Sequence, residues 1–211
     1  MDTAAPWAGQ LSRGCTLDNL GIHYHTALSS LGRDCLRHWE PLFAPFRDRA
    51  FDLLEIGAGS GASLRTWREW FPAARLVGLE ARRIHLDPPV PGCVIVQGNQ
   101  ADPATLHRVV KDRSFRIVID DGSRRAEDQL LTFQTLFPWL EPGSLYLCAG
   151  LSESWDAAPQ SDQSHAGEWF AALGRMLVAG RETGDAPPGA AAIVPRVGSV
   201  LLMRGCAVVT S

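Results

Sequence analysis

From residue 26 to 46 the apolar positions Leu28, Leu31, Cys35, Leu36, Trp39 and Leu42 recur at helical spacing, and Pro41 and Pro45 break the pattern near its end. The spacing predicts a helix there, after an irregular first twenty residues. The centre then alternates. Short apolar runs at 51–56, 75–79, 94–96, 115–119 and 145–148 predict buried strands. Between them, 62–71, 103–111 and 126–140 predict helices; Asp102 is the N-cap of the second, with Pro103 at its first position. Such alternation implies a mostly parallel sheet with helices on both faces. Residues 152–167 are polar and aperiodic, the pattern of a functional or disordered loop, and 168–181 is again helical. Two last apolar runs, 190–194 and 199–203, lie either side of 195–198 and predict an antiparallel hairpin at the sheet edge.

Composition narrows the class of function. The 211 residues are 45% hydrophobic and 20% charged, an ordinary balance for a folded chain. This length suggests one domain. Twenty basic and 23 acidic residues give a net charge of -3, which argues against a nucleic-acid partner. No apolar run reaches a membrane span and no secretory signal is readable, so a cytoplasmic protein is expected. The five cysteines are odd in number and scattered, consistent with reduced thiols.

The strongest motif is Glu55-Ile56-Gly57-Ala58-Gly59-Ser60-Gly61, directly after a strand and before a helix. Glycines there permit positive φ and close approach of a ligand, and the helix start offers unpaired N–H groups. Glu80, about 20 residues on at a strand end, suits a ribose diol. Gly57, Gly59 and Ala62 also satisfy the dinucleotide pattern, so the glycines alone leave a nicotinamide cofactor and another adenosine ligand both open. Glu55 favours a ligand with a cationic end over a pyrophosphate, because a carboxylate repels the latter. An ammonium-bearing S-adenosylmethionine meets that requirement.

The runs FDLLEIGAGSGASLRTWREWFPAARLVGLE, VQGNQAD, FRIVIDDGS and FQTLFPWLEPGSLY resemble class I S-adenosylmethionine-dependent methyltransferases. Within them the chain is most similar to the macrocin/mycinamicin-type sugar O-methyltransferase and cephalosporin hydroxylase-like group, over residues 20–155. The resemblance implies a Rossmann-like α/β fold, a mostly parallel seven-stranded sheet with a C-terminal antiparallel hairpin. It divides the single domain into a helical or lid segment (1–48), a cofactor core (51–151), a substrate loop (152–167) and a terminal helix and hairpin (168–211). It also implies that Glu55, Gly57, Ala58, Gly59, Gly61 and Ser63 hold the methionine moiety of S-adenosylmethionine. Glu80 takes the ribose, Asn99 and Gln100 lie beside the adenine, and Asp120 sits at the reactive end. The stretch from Gly21 to Thr26 resembles a family segment that lies over the cofactor.

The departures bear on chemistry. The family's Asp-Asp-Gly-Ser-His ends here in Arg124, and a second family His is Asp128. The Glu-Asp pair that completes a magnesium site in the sugar methyltransferases is Ala149-Gly150. Magnesium needs about six oxygens in octahedral array, so no metal site is expected. Replacement bases are His23, His25 and Asp121, or Asp156 and His165 in the polar loop. Trp67, Trp70 and Trp139 are expected to pack on the sheet, and Trp155 to line an apolar acceptor pocket. The leading expectation is metal-independent methyl transfer to a small-molecule acceptor, a natural-product hydroxyl. The alternatives are a repurposed fold catalysing a non-methylating step such as cyclisation or elimination, a non-catalytic subunit, and, more distantly, a dinucleotide oxidoreductase.

Overall fold

The computed structural model describes residues 14–156, 165–180 and 186–211; for 154–156 it gives the backbone only. Seven strands form one sheet in the order β3-β2-β1-β4-β5-β7-β6. β1 (Asp52–Ile56), β2 (Arg75–Glu80), β3 (Cys93–Gln97), β4 (Phe115–Asp120) and β5 (Leu145–Ala149) run parallel to one another. β7 (Cys206–Thr210) runs antiparallel to both β5 and β6 (Ser199–Met203). The expected fold class is therefore the one observed.

The central strands are apolar on both faces because both are covered. Leu54, Ile56, Val77 and Val118 face a core with Phe133, Trp169 and Phe170. Their neighbours Leu53, Leu76, Ile117 and Ile119 face a second core with Trp39, Phe43, Trp67 and Phe71. Helix α3 (Ala62–Trp70) supplies the second core, and α5 (Ala126–Leu136) with α7 (Ala166–Ala179) the first. Asp102 caps α4 (Pro103–Val110) by accepting from the N–H groups of Ala104 and Thr105. Trp67 and Trp70 pack inside as expected, whereas Trp139 is half exposed, on a short 3-10 turn after α5.

Three expected elements are corrected. The helix predicted over 26–46 is α1 (Leu17–His23), a turn, and α2 (Leu36–Phe43). The turn wins because polar groups fix it: Asp18 accepts from the Ser30 N–H at 2.7 Å and from its hydroxyl at 2.6 Å, and His25 and Asp34 take positive φ. Residues 190–194 are not a strand; Ala190–Ile193 forms α8, as a run of alanines favours. The hairpin partner of β6 is β7, whose valines and Thr210 suit a strand, joined across Arg204-Gly205 with Gly205 in the left-handed region. The polar loop begins as α6 (Leu151–Asp156); 157–164 and the Trp155 side chain lie outside the described residues.

Candidate functional site

The order of strands reverses between β1 and β4, the point at which open α/β sheets bind ligands beyond the carboxyl ends of their strands. A cavity of about 420 Å³ lies there, lined by Gly57 and Gly59 after β1, Glu80 at the end of β2 and Arg82 beyond it, Asn99 and Gln100 after β3, and residues 121–123 after β4. Glycine is required at position 57. Its φ is +86°, and a Cβ would stand 2.5 Å from the Asp121 carbonyl oxygen. The turn after β1 therefore packs backbone to backbone on the turn after β4.

Glu55 is fully buried, and neither carboxylate oxygen has a hydrogen-bond partner among the described residues. Burial pushes its carboxyl up to about 8, and the nearby Ser63 and Trp67 offset this only in part. A buried acid without partners is costly unless a cation joins it or it stays protonated. At the far side of the turn, Glu80 accepts from the Gly59 N–H (2.9 Å) and the Arg82 N–H (3.1 Å), so one carboxylate grips both the glycine turn and its own strand end. Asn99 faces the cavity and turns its side-chain oxygen to the Ala101 N–H at 3.0 Å.

The two adjacent aspartates separate. Asp120 is buried away from the cavity and accepts from Tyr146 Oη (3.1 Å), Gln100 Nε2 (3.2 Å) and the Gly122 N–H (3.3 Å). Burial outweighs these bonds and pushes its carboxyl up to about 7. Gln100 is committed to the same network: its amide also reaches Thr132, and its oxygen accepts the Ser123 N–H at 2.6 Å. Asp121 lines the cavity, but both its oxygens are held by Arg33, at 2.5 and 2.6 Å, and Arg124 Nη1 lies 2.9 Å from Oδ1. Burial works to lower the Arg33 pKa, and the hydrogen bond to Asp121 together with the negative charge around it more than reverses this.

Of the expected base candidates, His23 and His25 are exposed, and neither lines the cavity. His165 is the residue before α7, and the Asp156 side chain is outside the described set. Sequence reasoning missed Arg33 and the cavity-lining Arg82 and Ser123. Arg33 lay within a stretch whose apolar spacing predicts a helix, so nothing local marked it as a partner of Asp121, 88 positions on.

A divalent ion does not fit the end of β4. Asp121 is clasped by two guanidinium groups, and no group of three or more His, Cys, Asp or Glu able to hold a metal occurs among the described residues.

The sheet, the glycine turn and the acidic residue after β2 define a class I methyltransferase fold. No family model matches the chain. Among curated proteins it is 36% identical over 148 residues, 65% of this chain and 36% of the relative, to an 8-demethyl-8-alpha-L-rhamnosyl tetracenomycin-C 2'-O-methyltransferase of Streptomyces olivaceus. It is 32% identical over 164 residues, 74% of this chain and 40% of the relative, to the mycinamicin VI 2''-O-methyltransferase of Micromonospora griseorubida. The MycE methyltransferase of the mycinamycin pathway, solved with Mg and SAH, superposes with a TM-score of 0.83 at 24% identity, over 95% of this chain and 55% of that one. A complex of the same enzyme with Mg, SAH and mycinamycin VI gives a TM-score of 0.79 at 25% identity, over 94% of this chain and 55% of that one. The chain is a homologue of the sugar O-methyltransferases of macrolide and tetracenomycin pathways. It spans about two fifths of the length of those curated relatives.

Proposed function

We propose that this chain binds S-adenosylmethionine in the cavity at the β1–β4 switch point and transfers its methyl group to an oxygen of a small natural-product acceptor, without a divalent metal and in the cytoplasm. The observation that carries this reading is Glu55 at the end of β1, a buried carboxylate near Ser63 and Trp67 whose two oxygens have no hydrogen-bond partner among the described residues. Bound S-adenosylmethionine supplies an ammonium and an electrophilic methyl group. Glu55 supplies the anion for the ammonium. Gly59 leaves the backbone open to close approach, and Glu80, which lines the same cavity, offers its carboxylate to a ribose diol. The homology to sugar O-methyltransferases supports an oxygen acceptor, and positioning of that oxygen supplies much of the rate effect in such a transfer.

A second reading, the repurposed fold, draws on a specific observation: the base candidate that lines the cavity, Asp121, is already engaged by two arginines. Isothermal titration of the protein with S-adenosylmethionine and S-adenosylhomocysteine, in EDTA and in magnesium, tests the first reading. Micromolar binding of both, indifferent to metal and lost in Glu80→Ala, is expected. Absence of binding removes that reading. Binding without any methylated product across a panel of glycosylated polyketides transfers the case to the second.

A further inference from the structure

Arg124 and Gly150 fit each other. Gly150, the residue after β5, has a φ of +74°, and a Cβ there would stand 2.5 Å from Arg124 Nη1, 2.8 Å from Cδ and 2.9 Å from Cζ. The arginine therefore lies flat on a glycine backbone, and any side chain at 150 would displace its head group. That head group spans two acids: Nη1 is 2.9 Å from Asp121 Oδ1, and Nε is 2.5 Å from Glu153 Oε2. Nη1 is buried and its approach to Asp121 is not in hydrogen-bond geometry, so charge rather than a directed bond holds it. Asp121 Oδ1 also has Arg33 Nη1 at 2.5 Å.

Two positive groups thus share one carboxylate oxygen. A magnesium ion would need that oxygen at about 2.1 Å and several more oxygens around it. It would meet two guanidinium cations already placed on that oxygen. The structural neighbour was solved with Mg; the strand ends of this chain carry guanidinium charge instead.

We propose that Arg124 is a resident cation that takes the place of a divalent metal at the ends of β4 and β5, with Gly150 as the position that admits it. This deepens the metal-free part of the function proposed above, and its test does not use the reaction. The arginine places a positive charge beside Asp121 without dependence on ion supply. Removing it, and giving position 150 a carboxylate, leaves Asp121, Glu153 and the new acid together with one guanidinium fewer.

The probe is Mn²⁺, followed by electron paramagnetic resonance on the S-adenosylhomocysteine-treated protein. The unsubstituted protein is expected to bind no Mn²⁺ at millimolar concentration. Arg124→Ala/Gly150→Asp is expected to gain a site at least about tenfold tighter, the scale on which neighbouring groups alter metal affinity. Arg124→Gln, which keeps Gly150 and its backbone, guards against a double variant that fails to fold and should gain weaker binding in the same direction. Mn²⁺ binding by the unsubstituted protein equal to that of the variants overturns the proposal. So does a folded variant, judged by circular dichroism, that gains none. Failure of S-adenosylhomocysteine to bind in a parallel titration removes the methyltransferase reading, while the Mn²⁺ comparison still decides the role of Arg124.

Discussion

The two strand ends that flank the cavity, β1 and β4, treat charge in opposite ways. At the end of β1, Glu55 is buried, is not itself among the residues that line the cavity, and has neither oxygen hydrogen-bonded among the described residues. At the end of β4, the single guanidinium of Arg33 spans both oxygens of Asp121, and a second arginine, Arg124, lies against Oδ1. Solvent cannot explain the difference, because both acids are largely shielded: Glu55 is 0% exposed and the Asp121 side chain 12%. An acid left alone in a protein interior is either protonated or awaiting a cation. An acid already surrounded by arginines serves the protein's own architecture. On the function proposed above, the β1 strand end is a binding surface that a ligand completes, whereas the acid at the β4 strand end is already partnered.

The largest effect is expected where the two strand ends meet. Gly57→Ala adds a Cβ at 2.5 Å from the Asp121 carbonyl oxygen and forces a left-handed backbone on alanine. Neither partner is a flexible side chain that can yield. A loss of about 3 kcal/mol or more in unfolding free energy is expected, together with loss of cofactor binding. Chemical denaturation and isothermal titration measure the two. An alanine variant as stable as the parent would show that the strand ends can part, and the comparison would fail.

Glu55→Gln tests the β1 strand end alone. If the carboxylate serves a cationic ligand end, its loss costs about 1.5–3 kcal/mol of S-adenosylmethionine affinity, the range for hydrogen bonds to charged groups. Unfolding free energy near pH 8 should hold or rise, since a buried acid has been removed. A variant that loses stability but keeps affinity would make Glu55 a structural acid. At the β4 strand end the signs reverse. Arg33→Ala should lower stability by about 1–2 kcal/mol, because it strips a mostly buried partner from Asp121, and leave cofactor affinity nearly unchanged. The double variant with Asp121→Asn should recover part of that loss in a denaturation cycle.

Much of this contrast was legible in the sequence on one side only. The glycine turn, Glu55 and Glu80 lie within one continuous β-α-β stretch, where local spacing fixes the geometry. Asp102 was likewise legible as a cap because a cap is local. The β4 strand end depends on partners far apart in the chain: Arg33 with Asp121, and Arg124 with Gly150 and Glu153. Asp120 and Asp121 are also adjacent at a strand end, where successive side chains point to opposite sides. Sequence cannot tell which of such a pair faces the ligand; the structure buries Asp120 against Tyr146 and turns Asp121 to the cavity. The hairpin was half legible: 199–203 is a strand, but its partner follows it across Arg204-Gly205. The alanine-rich run before it carries apolar character without β-branching, and it folds as a helix.

The test that separates the two strand ends most finely is the response to pH. Burial raises Glu55 to about 8 and Asp120 to about 7, both above their ordinary carboxylate values. In the ligand-free protein these groups hold protons that the unfolded chain has already released above about pH 4 to 5. The native state then binds more protons than the unfolded one, so stability is greatest at the acid end of this window. It falls as pH rises towards 8, by at most about 1.4 kcal/mol per unit for each group. Ligand binding has the opposite slope. A cationic ligand needs Glu55 ionised, so binding releases a proton below about pH 8, and affinity rises with pH by up to about tenfold per unit before levelling. S-adenosylhomocysteine keeps the ammonium and lacks the sulfonium charge, so it should show the same slope. Titrations from pH 6 to 9 check this, with Glu55→Gln expected to flatten the affinity curve while the Asp120 contribution to stability persists. A flat curve for the unsubstituted protein would mean that Glu55 is ionised before the ligand arrives. The β1 strand end would then be as complete in itself as the β4 strand end.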